Sequence, residues 1–503
     1  METATQTLHR LTSYRPGRPW DRPPVDDPRV VAGLETNDMD RFPWFFKRYT
    51  RGLPRIALPR DLPATAAPAL AVLAGAAAVT PGDLDLAQLA RLLYLSAGVA
   101  RTMERPAGTF LFRAAGSAGG RFPLEVYVAV PEGAALPAGV HWYDPLDHAL
   151  VRVGPAPRDG GPAVVVTGVP WRTGWRYRER GYRHVYWDAG TMLAQLLAAA
   201  DSAGLATALY PRFPDAAVAA LVGADQVHEV PVAVVALGAA APALTAAGPA
   251  VTGAVDAEPL EFPLITAAQR AGELDGLGPP WDRGAPVAVP VPAPAPVEDV
   301  IMARGSARRM NGDRGLPDSV LRTSMTVALR GIGLPHRVVV HDVGGLDPGV
   351  YRWPDSSAPA RPGRRRAEVC RVCLGQALPR DAAFVVIATA SLSKLDDREY
   401  REAHLAAGLA EGRLHLAAYA LGACASGMTF LDSEIPALLG EPVDALLCTC
   451  VGVPTYTSAR GGPPGAPAAV RWVTSRARQQ PAAPAPGRAA SVHPLPRSPR
   501  RPG

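Results

Sequence analysis

Residues 303–312 read ARGSARRMNG, with Arg304, Ser306 and Arg308 alternating among small side chains. Guanidinium forks engage phosphate oxygens in pairs, and a serine adds a hydroxyl and a main-chain N–H, so this spacing suits a phosphate cradle. A solvated helix start is the plainer reading, since LPDSVLRTSMTVALRGI (316–332) follows with helical patterning. Further on, ACASGMTF (423–430) is a glycine-bearing turn after a long apolar helix. Such a turn lets main-chain N–H groups approach a flat ligand, which makes Gly427 and Met428 candidates for contact. Arg460 is a further basic candidate beyond the last strand.

The first half carries different chemistry. In WRYRERGYRHVYWDAG (175–190) a cation and a phenol stand side by side as Arg176 and Tyr177. Arginine stays protonated, whereas the phenol can act as an acid, or as a base if its pKa is lowered. Lys394 and Tyr400 hold a comparable place in the second half, where Lys394 reads either as a base or as a surface residue at a helix start. Trp171 and Trp175 read as loop aromatics, for stacking on a substrate or for packing. CRVC (370–373) and CTC (448–450) together offer four thiolates for zinc. Cys370 and Cys373 share a helical stretch, however, and Cys448 and Cys450 a strand, so the thiols read as core packing and no metal site is expected.

The elements that must position these residues come twice. AGTMLAQLLAAADSAGLATALYPRFPDAAVAALVG (189–223) precedes VPVAVVALG (230–238); AGLAEGRLHLAAYALGACASGMTFLDSEIPALLG (407–440) precedes DALLCTCVGVP (444–454). Each copy reads as a long helix ending in glycine, a loop, a short helix and a buried strand. Upstream, FPLEVYVAV (122–130) pairs with HRVVVHDV (336–343), and GVHWYDP (139–145) with GVYRWP (349–354). The expected architecture is α+β: two copies of one domain fused as a pseudodimer. Its parts are an N-terminal arm (1–49), a first domain (50–240), a connector (241–297), a second domain (298–456) and a Pro/Arg tail (457–503). Phe42, Trp44, Phe45 and Phe46 dock the arm. The Pro/Ala-rich run 286–297 reads as an extended linker.

Composition narrows the functions. The net charge of +6 comes from the stretch 471–503, which holds seven arginines and no acidic residue. The rest is near neutral, so no nucleic-acid face is expected and the tail reads as disordered. Five cysteines make no disulfide scaffold. The run LPATAAPALAVLAGAAAVT (62–80) is alanine-rich and broken by proline and glycine, which suits a core better than a bilayer. The start METATQTLHR has no apolar signal region, and the chain reads as soluble and cytoplasmic.

Taken together, ARGSARRM, the glycine-bearing turn and the strand CVGVP resemble the FMN-dependent nitroreductase superfamily over 301–456. Over most of 90–238, three segments resemble its azoline-dehydrogenase branch, the flavin oxidases of thiazole/oxazole-modified peptides: RAAGSAGGRFPLEVYVAV (113–130), GVHWYDPLDHALVRV (139–153) and WRYRERGYRHVYWDAG. The resemblance implies FMN as cofactor. It implies Arg304, Ser306 and Arg308 at the FMN phosphate and pyrimidine edge, Gly427 and Met428 on the N5 side, and Arg113, Ser117 and Gly119 from the first half. It places Tyr177, with Arg176 or Lys394, at the proton chemistry. The chain departs from that branch in having Arg176 where the branch has lysine, and Thr191 where it has histidine. The first half lacks the arginine element and the second lacks the Ser-Ala-Gly turn, so the two incomplete halves are expected to build either one composite site or one intact site and one decayed. The implied activity is oxidation of a peptide azoline to an azole, with a cyclodehydratase complex as partner. NAD(P)H-driven reduction of nitro, quinone or dehydroamino-acid substrates is a second reading. A non-catalytic flavin- or peptide-binding scaffold is a third.

Overall fold

The computed structural model describes residues 2–17, 27–105, 108–291, 293–471 and 473; apart from Val473, the expected Pro/Arg tail beyond Arg471 lies outside the described residues. Valine- and alanine-rich runs in the first half form β1 (Arg55–Ala57), β2 (Val99–Arg105), β3 (Gly108–Arg113), β4 (Leu124–Val130), β5 (Gly139–Asp144), β6 (Ala149–Gly154), β7 (Ala163–Gly168), β8 (Thr207–Tyr210) and β9 (Val230–Leu237). The second half supplies β10 (His336–Val340), β11 (Gly349–Trp353), β12 (Arg361–Pro362), β13 (Phe384–Ala390), β14 (Cys424–Met428), β15 (Asp444–Gly452) and β16 (Ala468–Ala469).

One sheet runs β1-β6-β5-β4-β7-β9-β8 and another β12-β11-β10-β13-β15-β14. Without β1 the two orders coincide strand for strand, which is the duplication expected from the sequence. A third, small sheet joins β16, β2 and β3. The helices are α1 (Ala4–Thr12), α2 (Ala69–Leu73), α3 (Leu86–Ala97), α4 (Pro170–Tyr177), α5 (Gly181–Ser202), α6 (Asp215–Val222), α7 (Pro263–Ala271), α8 (Val297–Ala303), α9 (Asp318–Ala328), α10 (Arg366–Val372), α11 (Ala377–Asp381), α12 (Asp397–Ala420) and α13 (Ile435–Leu439).

The two long helices, α5 and α12, pack on each other at the centre. Both are almost wholly buried, polar residues included, as helices with sheets on their outer sides must be. They cross at a pair of glycines. A Cβ on Gly190 would lie 2.3 Å from the Leu405 carbonyl oxygen, and one on Gly408 2.3 Å from that of Trp187. Glycine is required at both positions by this close approach of main chain to main chain.

Two expectations are corrected. The loops expected after the long helices contain edge strands, β8 and β14, because the outer edges of β9 and β15 offer unpaired main-chain groups. Trp171 and Trp175 lie on α4 rather than in a loop; both are buried, with their indole N–H groups on Asp256 and on the Asp38 carbonyl. Upstream of the run 286–297 the connector carries α7, which buries Leu264 and Ile265 beside Phe262. The arm carries a capped helix, α1, that the sequence reading did not anticipate. Elsewhere Phe42 and Phe45 meet Phe110, and Phe42 also meets Trp175, as docking of the arm requires. Cys373, Cys448 and Cys450 pack in a core with Val372 and Ile387.

Candidate functional site

α8 ends at Ala303, and Arg304 turns the chain into an extended conformation. Its side chain is buried and reaches the first half, where Nη2 donates to the Ala114 carbonyl at 2.7 Å. Nε and Nη1 are buried without a hydrogen-bond partner. Burial pushes the Arg304 pKa down to about 10, with the positive charge of Arg101 adding to the effect, so the group stays cationic at neutral pH.

Arg101 itself fixes this segment from the first half. Its Nη2 donates to the Met302 carbonyl at 2.6 Å and to that of Arg304 at 3.0 Å, and its Nε to that of Ala459 at 2.7 Å. The segment then runs along β14, with Ala307 N donating to Ala425 O at 2.9 Å. Ser306 and Arg308 are exposed at the mouth. Arg308 N donates to the Tyr456 hydroxyl at 2.9 Å, and a Cβ on Gly305 would lie 2.7 Å from Ser458 Oγ and 3.6 Å from the Tyr419 hydroxyl. Arg101, Tyr419, Tyr456 and Ser458 were missed by the sequence reading. The last two follow β15, where only Arg460 drew attention.

The first-half turn faces this cradle. A Cβ on Gly116 would lie 3.3 Å from Arg304 Nη1, 3.7 Å from Ser306 Oγ and 3.8 Å from Thr191 Cγ2. Asp188, on α5, holds the turn closed by accepting from Ser117 Oγ at 2.5 Å and from Ala118 N at 2.9 Å. Ser117 Oγ in turn accepts from Phe122 N at 2.8 Å. Gly119 has φ of 60°, and a Cβ there would stand 2.7 Å from the Tyr177 hydroxyl and 2.7 Å from Arg176 Cδ. A small cavity lies beside the turn, bordered by Ser96, Gly116, Ser117, Asp188 and Met192. Burial pushes the Asp188 carboxyl up to about 7, against the opposing bonds from Ser117 and Ala118, and the nearby Glu411 carboxylate adds to the rise.

Arg176 and Tyr177 end α4. Arg176 Nη1 donates to Asn37 Oδ1 at 2.9 Å, so the arm orients the cation. The Tyr177 ring stacks on His184 with centroids 4.0 Å apart. Burial raises the Tyr177 pKa, and Arg176 only partly offsets this. The lowered pKa that a base would need is therefore not found; the phenol keeps its proton. Partial desolvation lowers the Arg308 pKa, and the charge of Arg176 contributes to that shift, which links the mouth of the second-half cradle to the first-half pair.

Several expected residues are directed elsewhere. Arg113 is buried and its guanidinium donates to the carbonyls of Leu124, at 2.7 Å, and Phe45, at 3.2 Å. It shapes the turn; its Nε is buried without a hydrogen-bond partner, and the residue borders the cavity beside the turn. Arg460 is ion-paired with Asp299 at the surface. Lys394 is exposed on a short turn (392–394) before α12, and the structure does not bring it to Tyr177. Met428 is buried in the core, leaving only its main chain for contact. Gly427 adjoins Glu411, whose Oε1 would stand 2.3 Å from a Cβ there. Among the described residues no group of three or more His, Cys, Asp or Glu side chains is placed to hold a metal ion, and no helix is long and apolar enough to cross a membrane.

The nitroreductase family model matches residues 80–239. A Methanocaldococcus jannaschii protein named for the nitroreductases is 30% identical over 149 residues, which span 26% of this chain and 71% of that protein. Among solved structures, a protein from Anabaena variabilis described as a nitroreductase superposes with a TM-score of 0.69 at 24% identity, over 90% of this chain and 100% of that one. The superposition extends over both halves and so shows their fold as a unit. The matched residues include the Gly116–Gly119 turn, Tyr177 and Asp188, and the chain belongs to the nitroreductase family.

Proposed function

We propose that the chain is an FMN-dependent oxidoreductase whose site is shared between its two halves. The observation that carries this reading is the Arg304 guanidinium, buried across the junction of the halves with Nε and Nη1 unpartnered. A buried cation in that state fits an anionic oxygen. Ser306 and Arg308 stand at the mouth, and Gly116 and Gly119 keep side chains out of the space between. These donors beside a turn without Cβ atoms fit a flat cofactor that carries a phosphate. FMN, when bound, supplies hydride transfer to or from an organic substrate. Arg304, Ser306 and Arg308 would hold it.

The Tyr177 hydroxyl retains its proton, and Arg176 beside it is a fixed cation. Together they orient a substrate, donate a proton and stabilise negative charge developing nearby. The segments 113–130 and 175–190 support a peptide azoline as substrate, oxidised to an azole after a cyclodehydratase has formed the ring. The protonated phenol and the fixed cation favour a second reading, NAD(P)H-dependent reduction, since they deliver protons more readily than they remove them.

Purified protein should be yellow, with absorbance near ~450 nm. A colourless chain that takes up no added FMN overturns both readings. Anaerobic mixing with NADPH separates them: rapid bleaching supports the reductase, and bleaching by an azoline peptide but not by NADPH supports the dehydrogenase.

A further inference from the structure

A pseudodimer with two-fold symmetry has two equivalent clefts. One joins Arg304–Arg308 and β14 of the second half to Ala114–Gly119 of the first. Its twin lies where the residues after α2 and the edge of β8 face the residues after α9. Pro68 and Pro296 mark the relationship: they pair across an antiparallel bridge, with Ala69 N donating to Ala295 O at 2.9 Å and Val297 N to Ala67 O at 3.2 Å. The helices α2 and α8 thus begin as symmetric partners and then diverge. Arg304, Ser306 and Arg308 follow α8, whereas GAAAVT (75–80) follows α2, with no guanidinium and no hydroxyl before Thr80.

The twin cleft is filled from within the chain. On β14 the outer edge is taken by the cradle itself, through Ala307. On β8 it is taken by the connector: Trp281 N donates to Leu209 O at 2.7 Å and Gly278 N to Arg212 O at 3.0 Å. Further along, Val287 N donates to Ala74 O at 3.0 Å. From the second half, Arg330 reaches over the same segment, with Nε on the Leu73 carbonyl at 2.9 Å and Nη1 on the Gly284 carbonyl at 3.2 Å. Main chains meet there directly: a Cβ on Gly284 would lie 2.5 Å from Gly331 N, and one on Gly331 2.5 Å from Asp282 O. Arg283 is ion-paired with Asp201, which fastens the segment to the end of α5.

We infer that connector residues Gly278–Val287 plug the twin cleft, so that the chain takes one flavin and not two. The count rests on the FMN reading given above; the plug does not. A flexible linker would leave these amides in water, but each named amide has a carbonyl partner in the first half, and the segment is clamped from the second half by Arg330.

Hydrogen exchange on the full chain tests the plug without any cofactor. Peptides containing Gly278, Trp281 and Val287 should exchange as slowly as those of β9. Exchange at the rate of exposed loops overturns the plug. Flavin released by denaturation should amount to one per chain, falling to none in Arg304→Ala/Arg308→Ala. Two flavins per chain, or one retained by the double variant, overturns the inference. A wild-type chain that binds no flavin overturns the FMN reading instead, and exchange then still decides the plug.

Discussion

Arg183 Nη1 donates to Asp432 Oδ1 at 2.7 Å across the junction of the halves, and Arg401 Nη1 donates to Asp215 Oδ1 at 2.9 Å in the symmetric place. Each aspartate takes a second arginine, Arg180 at 2.6 Å and Arg398 at 2.8 Å. Phe430 lies under the first of these and Phe213 under the second. All four arginines are buried. An isologous contact repeats itself in this way, and here it has persisted in a single chain.

Removing one partner of such a cluster leaves charge uncompensated in the interior. Asp432→Ala should therefore cost about 3–5 kcal/mol, and Asp215→Ala a similar amount. Denaturant melts of both variants check this. A loss below ~1 kcal/mol in either would mean that its cluster is not held as described.

Two buried carboxyl groups make opposite pH predictions. At Asp432 burial opposes ionisation, but Arg180 and Arg183 outweigh it and hold the carboxyl well below the usual range. Its contribution to stability is present above pH ~4 and is lost only as pH falls toward the native value. At Asp188 burial wins, and the native pKa stands at about 7 against an ordinary 3.8. The native state then binds the extra proton, so stability falls as pH rises between about 4 and 7, by a few kcal/mol on the order of one per pH unit. Asp188→Asn should flatten that slope in denaturant midpoints taken across this range; an unchanged slope would assign it to other groups.

Gly119→Ala places a methyl group at φ of 60°, within 2.7 Å of the Tyr177 hydroxyl. The backbone strain alone costs about 1 kcal/mol. The variant should fold yet turn over more slowly, because the displaced groups are Arg176 and Tyr177. Tyr177→Phe should keep its flavin and lose roughly 10²–10⁴ in kcat. Turnover per bound flavin separates these effects from simple loss of cofactor, and unchanged turnover in Tyr177→Phe would remove the phenol from the chemistry.

Arg101→Ala should weaken FMN binding about tenfold, equivalent to about 1.4 kcal/mol, although Arg101 lies behind the cradle and serves three carbonyls rather than a ligand. Arg101→Lys should not restore binding, since an ammonium cannot reproduce the fork that spans Met302, Arg304 and Ala459. Fluorescence titration of flavin-free protein gives both values, and full rescue by lysine would show that only the charge matters.

The duplication was legible because long helices and buried strands leave periodic traces, and both copies kept them. Arg304, Gly119 and Tyr177 were legible as types; Arg304 stands beside Gly116, and Tyr177 beside Gly119. Arg101 and Asn37 were not, because a single side chain meeting a distant carbonyl or guanidinium leaves no pattern along the chain. The edge strands were hidden in short runs, TALY and CASGM, that only a neighbouring strand makes extended. Lys394 misled for a geometric reason. In a duplicated chain, matching positions face opposite clefts, so a residue aligned with Arg176 belongs beside the twin cleft and not beside Tyr177.

The meeting of Gly190 with Gly408 has a consequence for what the molecule can accept. At that crossing main chain meets main chain, and Thr191 Oγ1 donates to the Gly408 carbonyl at 3.4 Å. A side chain at either glycine would push α5 and α12 apart there, while the Trp187–His404 and Tyr182–Tyr400 side-chain pairs join the same two helices. Ser306 and Arg308 are exposed, so substitution at either leaves that close approach of the two helices untouched.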